Sequence, residues 1–341
     1  MKEAQPAGRV LLQGVDHYRV TDAMFESVRV VMTHRGEPYS TAYVQGISSM
    51  AFRLAGPCPC APTCSAPMDM KDLIRLFGYE AEESPLGDKR EQVDARIGEM
   101  IARVKEEIRA GRPALVWHAF TNAEWDVVCG FDDEKGLFYG RGSYGNMRGP
   151  EPISADQKRA GTALDICPAF GAVFIGRKVG TFDARPAELA ALKEAVRHAR
   201  TPESRLAADP PDKAGKWRLR NGLGVYEWWV RNPPTSWDYC LDVTRSRRRT
   251  APDFLREIAP RYPAAQAALL KAAEHFAAEA DALDRCMAAA TAKDPDTAER
   301  GRRAAEALSA AMQSYEAGIA EVEAALAVLE KEHAGGPPGP G

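Results

Sequence analysis

Apolar residues recur along this chain with two periods, and the changes between them divide it. Over 22–34, DAMFESVRVVMTH, the residues Met24, Val28 and Val31 fall on one face of a helix. A Thr-Asp pair ahead of it can cap the first amides, and Gly36 ends it. A second helical segment covers 40–54, opened by Ser40 and interrupted at Gly46, and MKDLIRLFGYE (70–80) reads as a short helix stopped by Gly78. Over 92–110, Ile97, Ile101, Val104 and Ile108 keep helical spacing until Gly111 and Pro113 terminate the run. The period then shortens. ALVWHAF (114–120), EWDVVCGF (124–131), GLFYGR (136–141) and ALDICPAFGAVFIG (163–176) are alternating or continuous apolar runs broken by Asp, Gly, Asn and Pro. FDDEKGLF has the residues of a hairpin turn. Helices followed by hairpin-linked strands predict an α+β domain, its helices packed on an antiparallel sheet.

From about 181 the pattern is helical and rich in alanine. RPAELAALKEAVRHAR (185–200) is amphipathic, ADPPDK (208–213) reads as a linker, and NGLGVYEWWVRNPP (221–234) is a short aromatic helix stopped by two prolines. Another helix starts at TAPDFLREIAPRYP. Leu269, Phe276, Leu283 and Met287 mark the next, and a last helix begins after Asp294-Pro295. There Leu308, Met312, Tyr315, Ile319, Val322, Leu326 and Leu329 alternate spacings of four and three, a heptad seam. Such a seam packs against the preceding helix as a hairpin or joins two copies as a homodimer, and the hairpin is the simpler reading. The expected organisation is an α+β domain over 1–180, an all-α domain over 181–334 ending in a long helical hairpin, and a disordered tail, GGPPGPG, over 335–341.

Composition narrows the function classes. A chain of 341 residues has room for two domains. Its net charge of −3 supplies no global field for nucleic acid or a membrane surface. The basic run RSRRR (245–249) reads as a solvated helix face. No signal peptide is expected from the N-terminal residues, and no stretch approaches the roughly 18 apolar residues of a membrane span. Seven cysteines, an odd number, fit a reducing cytoplasm better than a disulfide framework. The expected location is cytoplasmic.

The order of DAMFESVRVVMTHRGEPYSTAYVQGISSMAFRL, the helix before GRPALVWHAF, and EWDVVCGFDD resembles the papain-like module of the butirosin-biosynthesis acyltransferase N-terminal family, itself similar to double-glycine leader peptidases. The resemblance covers about residues 9–180. The remainder, with GLGVYEWWVRN and FLREIAPRYP, resembles the tail of an uncharacterised bacterial branch built on that module. It implies a cysteine nucleophile at the start of the first helix, its pKa lowered by the helix dipole and by a histidine from the sheet, which an Asp or Asn orients.

This chain departs at each of those positions. Met24 stands near the nucleophile position, Glu124 replaces the histidine, and Asn146 is the nearest candidate for the orienting residue. Thr21, Ser27 and His17 flank the helix start. A hydroxyl nucleophile there would need His17 or Glu124 as base, while helix capping accounts for Thr21 without any chemistry. Glu124 reads either as a surface carboxylate at a strand end or as a pocket carboxylate flanked by Trp117 and Trp125. His118 reads as a satisfied sheet histidine. VYEWW (225–229) reads as packing aromatics, and GRGSYGNMRG opens no helix that would make it a dinucleotide loop.

A second constellation is GPCPCAPTCSAPM (56–68), where Cys58, Cys60 and Cys64 could offer soft ligands to zinc or Cu(I), serve in redox chemistry, or be structural. The sequence thus predicts a catalytically degenerate, non-proteolytic member of a papain-like fold, a pseudoenzyme binding a small molecule or peptide in the old cleft. One alternative is an acyltransferase or an amide or ester hydrolase with a non-standard nucleophile. Another is a metal or thiol-redox protein acting through the three-cysteine loop.

Overall fold

A computed structural model of the chain describes residues 8–19, 23–56, 66–143, 152–201, 203–204 and 219–334. In chain order its elements are β1 (Arg9–Leu11), α1 (Ala23–His34), α2 (Thr41–Ile47), β2 (Ala55–Gly56), α3 (Met70–Leu76), β3 (Tyr79–Ser84) and α4 (Arg90–Arg109). Then follow β4 (Ala114–Trp117), β5 (Trp125–Asp132), β6 (Leu137–Arg141), β7 (Ile153–Asp156) and β8 (Ala172–Lys178). The helical part comprises α5 (Ala184–Arg200), β9 (Glu203–Ser204), β10 (Leu219–Asn221), α6 (Leu223–Arg231), α7 (Tyr239–Arg248), α8 (Thr250–Ile258), α9 (Gln266–Ala290) and α10 (Thr297–Ala334). The architecture is mixed α+β with a helical C-terminal region. No helix among the described residues is long and apolar enough to cross a membrane.

Two compact units emerge, Met1–Thr41 with Asp69–Asp183, and Ala42–Met68 with Ala184–Gly341. This differs from a single cut at 180, because 42–68 groups with the helices. The physical reason is local: Tyr43, Val44, Ile47, Met50 and Phe52 are all buried, and Phe52 packs edge-on against Phe254 and Phe276, with centroids 6.0 and 5.3 Å away.

The first unit is an antiparallel sheet in the order β3-β8-β4-β5-β6-β7. β5 pairs β4 through Trp125–Val128 and β1 through Gly130–Asp132. Every residue of β4 and β5 is buried, since both faces are covered. Val93, Met100, Val104 and Ile108 of α4 form one core with Val116, Val128 and Phe138 of the sheet, and α1 also packs against β4 and β5. The β5–β6 hairpin closes as its residues predict, with the Lys135 amide donating to Asp132 Oδ1 at 3.0 Å and Gly136 at φ 63°.

Helix α1 is buried nearly all round, far beyond the stripe of Met24, Val28 and Val31. It ends where Gly36 takes φ 87°, with the Glu37 amide bonded to the Met32 carbonyl and the Gly36 amide to that of Thr33, an end that a side chain at Gly36 would strain. Three strands of the first unit depart from the expected elements. Helix α3 stops at Leu76, so Tyr79 and Glu80 of the expected helix belong to β3, and β1 and β7 are also strands. In the run 163–176 only Ala172 onward is strand, because Pro168 and a positive-φ Gly171 break the earlier part.

In the second unit, α9 and α10 pack along each other, and α10 also packs on α5 and α6. Leu308, Tyr315, Ile319, Val322, Leu326 and Leu329 are buried there, so the heptad seam is filled from within the chain. Gly46 does not interrupt α2. A Cβ at that position would lie 2.0 Å from the Phe254 ring, so the glycine seats an aromatic against helix backbone. The basic run corrects the expectation of a solvated face. Arg245 and Arg249 pair with Asp242, Asp281 and Asp284, but Arg247 and Arg248 are each 1% exposed. Positions 240, 241, 244, 247 and 248 form the inward stripe of α7, and the two arginines occupy its last turn. Arg248 Nε lies 3.0 Å from Glu279 Oε1, Arg248 Nη1 donates to the Ala51 carbonyl at 2.6 Å, and the Tyr226 hydroxyl donates to Glu279.

Candidate functional site

The segment before α1 meets the start of β5 at Tyr18. Tyr18, buried, donates its hydroxyl to the Trp125 carbonyl at 2.8 Å, a bond spanning 107 residues of sequence. Behind it, Asp16 takes Arg19 Nη2 at 2.8 Å and Arg29 Nη1 at 2.9 Å. Arg29 Nε reaches Glu26 Oε1 at 2.7 Å, and Arg29 Nη2 donates to the His17 carbonyl at 2.7 Å. Glu26 Oε1 also accepts the Arg19 amide at 2.8 Å. A charged pair three residues apart inside a buried helix thus pins the approach to that helix. Burial pushes the Glu26 carboxyl up to about 7 despite the opposing pull of Arg29. Burial, followed by the charges of Asp126, Glu26 and Glu124, raises the Tyr18 phenol well above its ordinary value. Tyr18 is therefore a protonated donor at neutral pH.

Glu124 precedes β5 and is 2% exposed, which replaces the surface-carboxylate reading with a buried one. The connection that holds it is tight. His118 and Ala123 both adopt left-handed backbone, at φ 55° and 52°, where non-glycine residues are strained. The His118 amide donates to the Glu124 carbonyl at 2.7 Å, and the Ala123 amide donates to His118 Nδ1 at 2.7 Å. With Nδ1 accepting, the proton of a neutral ring sits on Nε2, 3.2 Å from Thr162 Oγ1. Burial, then the charge of Arg159, pushes this imidazole down to about 4. His118 is a structural histidine with both nitrogens engaged.

Trp117 and Trp125 face each other across β4 and β5 with ring centroids 5.6 Å apart, and Phe170, partly exposed, stands edge-on to Trp117 at 4.8 Å. Met24 lies partly buried in the first turn of α1, its carbonyl accepting the Ser27 hydroxyl at 2.6 Å, so Ser27 is a helix-bonded hydroxyl. His17 is half-buried, and its Nδ1 has no hydrogen-bond partner among the described residues. Thr21, Asn146, Cys58, Cys60 and Cys64 lie outside the described residues. Among the described residues no group of three or more His, Cys, Asp or Glu is placed to hold a metal ion. Cys129, in β5, is buried, and that burial pushes its thiol up to about 11, far from a thiolate at neutral pH.

Reading along the chain missed Tyr18, Glu26, Arg29 and Asp126. Asp126 Oδ2 accepts the Phe120 and Thr121 amides at 2.6 and 2.8 Å, and burial pushes its carboxyl up to about 7. The available signal was a lone acid within the apolar run WDVVCGF, where a charge needs an internal partner. Two grooves open elsewhere on this unit. One, of about 410 Å³, runs beside Phe174, Gly176, Arg103 and Arg177. The other, of about 520 Å³, lies by Tyr39, Lys178 and Phe182. Neither is lined by His17, Met24, Trp117, Glu124 or Trp125. In comparison with known proteins, no family model matches the chain and no curated protein matches it.

Proposed function

We propose that this chain is a papain-like protein whose acyl-transfer chemistry has been lost, and that the region between the start of α1 and the head of β5 binds a small molecule or peptide without cleaving it. The observation that carries this reading is Glu124. It stands where the resembled family places a histidine, yet it is a buried carboxylate that raises the Tyr18 phenol. A carboxylate there accepts hydrogen bonds from a polar guest, and Tyr18, its hydroxyl held by the Trp125 carbonyl, and the Trp117–Trp125 pair supply aromatic walls. Two further features support the reading. His118, the histidine in the strand connection, is already engaged at both nitrogens and is a poor base, and Met24 brings a thioether without an ionisable proton to the helix start.

The test combines reactivity with binding. Iodoacetamide and a fluorophosphonate are applied to the full chain at neutral pH, and a metabolite and short-peptide panel is screened by thermal shift. The expected result is no stoichiometric labelling at the α1 start. At least one panel compound should stabilise the protein, and its effect should disappear in Glu124→Ala. A single rapidly labelled residue accompanied by ester or amide turnover overturns the proposal.

A further inference from the structure

Charge inside the second unit points to a ligand in a different place. Arg53, after the short 3-10 turn Met50–Phe52, is 8% exposed. Its Nη1 lies 2.6 Å from His198 Nδ1, and its Nε is buried with no hydrogen-bond acceptor among the described residues. No carboxylate among the described residues lies within ion-pair distance of it. The contrast with Arg248 is sharp, since Arg248 is equally interior and is answered by Glu279 at 3.0 Å.

His198 cannot supply the missing negative charge. Its Nδ1 faces the guanidinium at 2.6 Å, and its Nε2 meets the Leu54 amide at 3.0 Å and the Leu54 carbonyl at 2.8 Å; whichever nitrogen holds the proton, an imidazole carries no negative charge. The ring is neutral. Glu194 acts on Arg53 only at a distance, and its two oxygens are taken by Arg197 at 2.7 and 2.6 Å. The carboxyl-terminal end of α5 offers partial negative charge, but its last turn already carries Arg197, His198 and Arg200. Arg247 adds a second positive charge nearby. A buried guanidinium without a counter-charge is costly, and a planar oxyanion meeting its fork removes that cost.

We propose that Arg53, backed by His198, is the binding residue of a site for a small oxyanion, a phosphate or carboxylate group. The site is separate from the region around Glu124 and does not depend on the function proposed for it.

Thermal unfolding of the full chain in sodium phosphate, sodium acetate and sodium chloride at equal ionic strength tests it, with isothermal titration of inorganic phosphate beside it. A midpoint raised by roughly 5 °C in saturating phosphate or acetate over chloride is expected. Response to phosphate alone assigns a phosphoryl ligand, and an equal response to acetate assigns a carboxylate. Arg53→Met should lose the response. Arg53→Lys keeps the charge but not the fork, and should weaken phosphate affinity about tenfold. If Arg53→Met does not fold, the lysine variant and the wild-type salt series decide the matter. Equal midpoints in all three salts, a phosphate response that survives in Arg53→Met, or a phosphate affinity undiminished in Arg53→Lys overturns the proposal.

Discussion

Replacing Asp126 by Asn isolates the cost of a charge inside the sheet. Asp126 is fully buried in β5 and accepts two main-chain amides, yet no cationic side chain among the described residues is bonded to it. Burial holds its carboxyl at about 7 in the fold, against an ordinary value of 3.8. An acid whose native value is raised binds its proton more tightly when folded. Its contribution to stability is therefore whole below about pH 4 and is lost as pH rises through 7. Linkage between those two values costs the native state roughly 2 kcal/mol between pH 5.5 and pH 8, and roughly 4 kcal/mol once complete. Asparagine keeps an oxygen for the Phe120 and Thr121 amides and does not titrate. Any penalty for placing its NH₂ group is the same at both pH values and cancels in the difference. Relative to wild type, Asp126→Asn should gain about 2 kcal/mol on going from pH 5.5 to pH 8. Hydrogen exchange of peptides covering β5, followed across a urea series at each pH, reads the first unit separately. Should the two proteins track each other within about 0.5 kcal/mol over that range, the carboxylate is not paying for burial and the reasoning fails.

Three further substitutions bear on the packing and on the site. Gly46→Ala drives a methyl into the Phe254 ring and should cost about 1–3 kcal/mol or more, seen as a lowered thermal midpoint. Glu279→Ala strands Arg248 and the Tyr226 hydroxyl in the core and should cost roughly 3–5 kcal/mol by urea denaturation, most of it recovered in the double variant Arg248→Met/Glu279→Leu. Tyr18→Phe removes the donor to the Trp125 carbonyl and should cost about 1–2 kcal/mol, read as faster hydrogen exchange at the head of β5.

Elements with a strong period were legible in the sequence. The stripes of α4, α5, α9 and α10 are the buried faces of those helices, because an amphipathic helix must turn its apolar side inward. The strands β3 and β7 were not, and both lie at edges of the sheet, where YEAEES and ISAD carry polar side chains and no continuous apolar run. Gly46 and the pair Arg247–Arg248 misled for a shared reason. Glycine and arginine suggest breaks and solvent by type, while here one seats a ring and the others bond interior carbonyls, a sulfur and a carboxylate. At the candidate site, His118 was legible as a satisfied residue. The burial of Glu124 was left open, and the bond from Tyr18 to Trp125 joins positions too far apart for spacing to relate them.

The division of labour along β5 matters for anyone trimming this chain. β6 pairs one side of it, while the other side is zipped to β4 over the first half and to the three residues of β1 over Gly130–Asp132. A shortened version starting after Gly14 would expose that stretch as a raw hydrogen-bonding margin, free to recruit a strand from another copy. Such a truncation should turn a well-behaved preparation sticky even though every residue around Glu124 is still present.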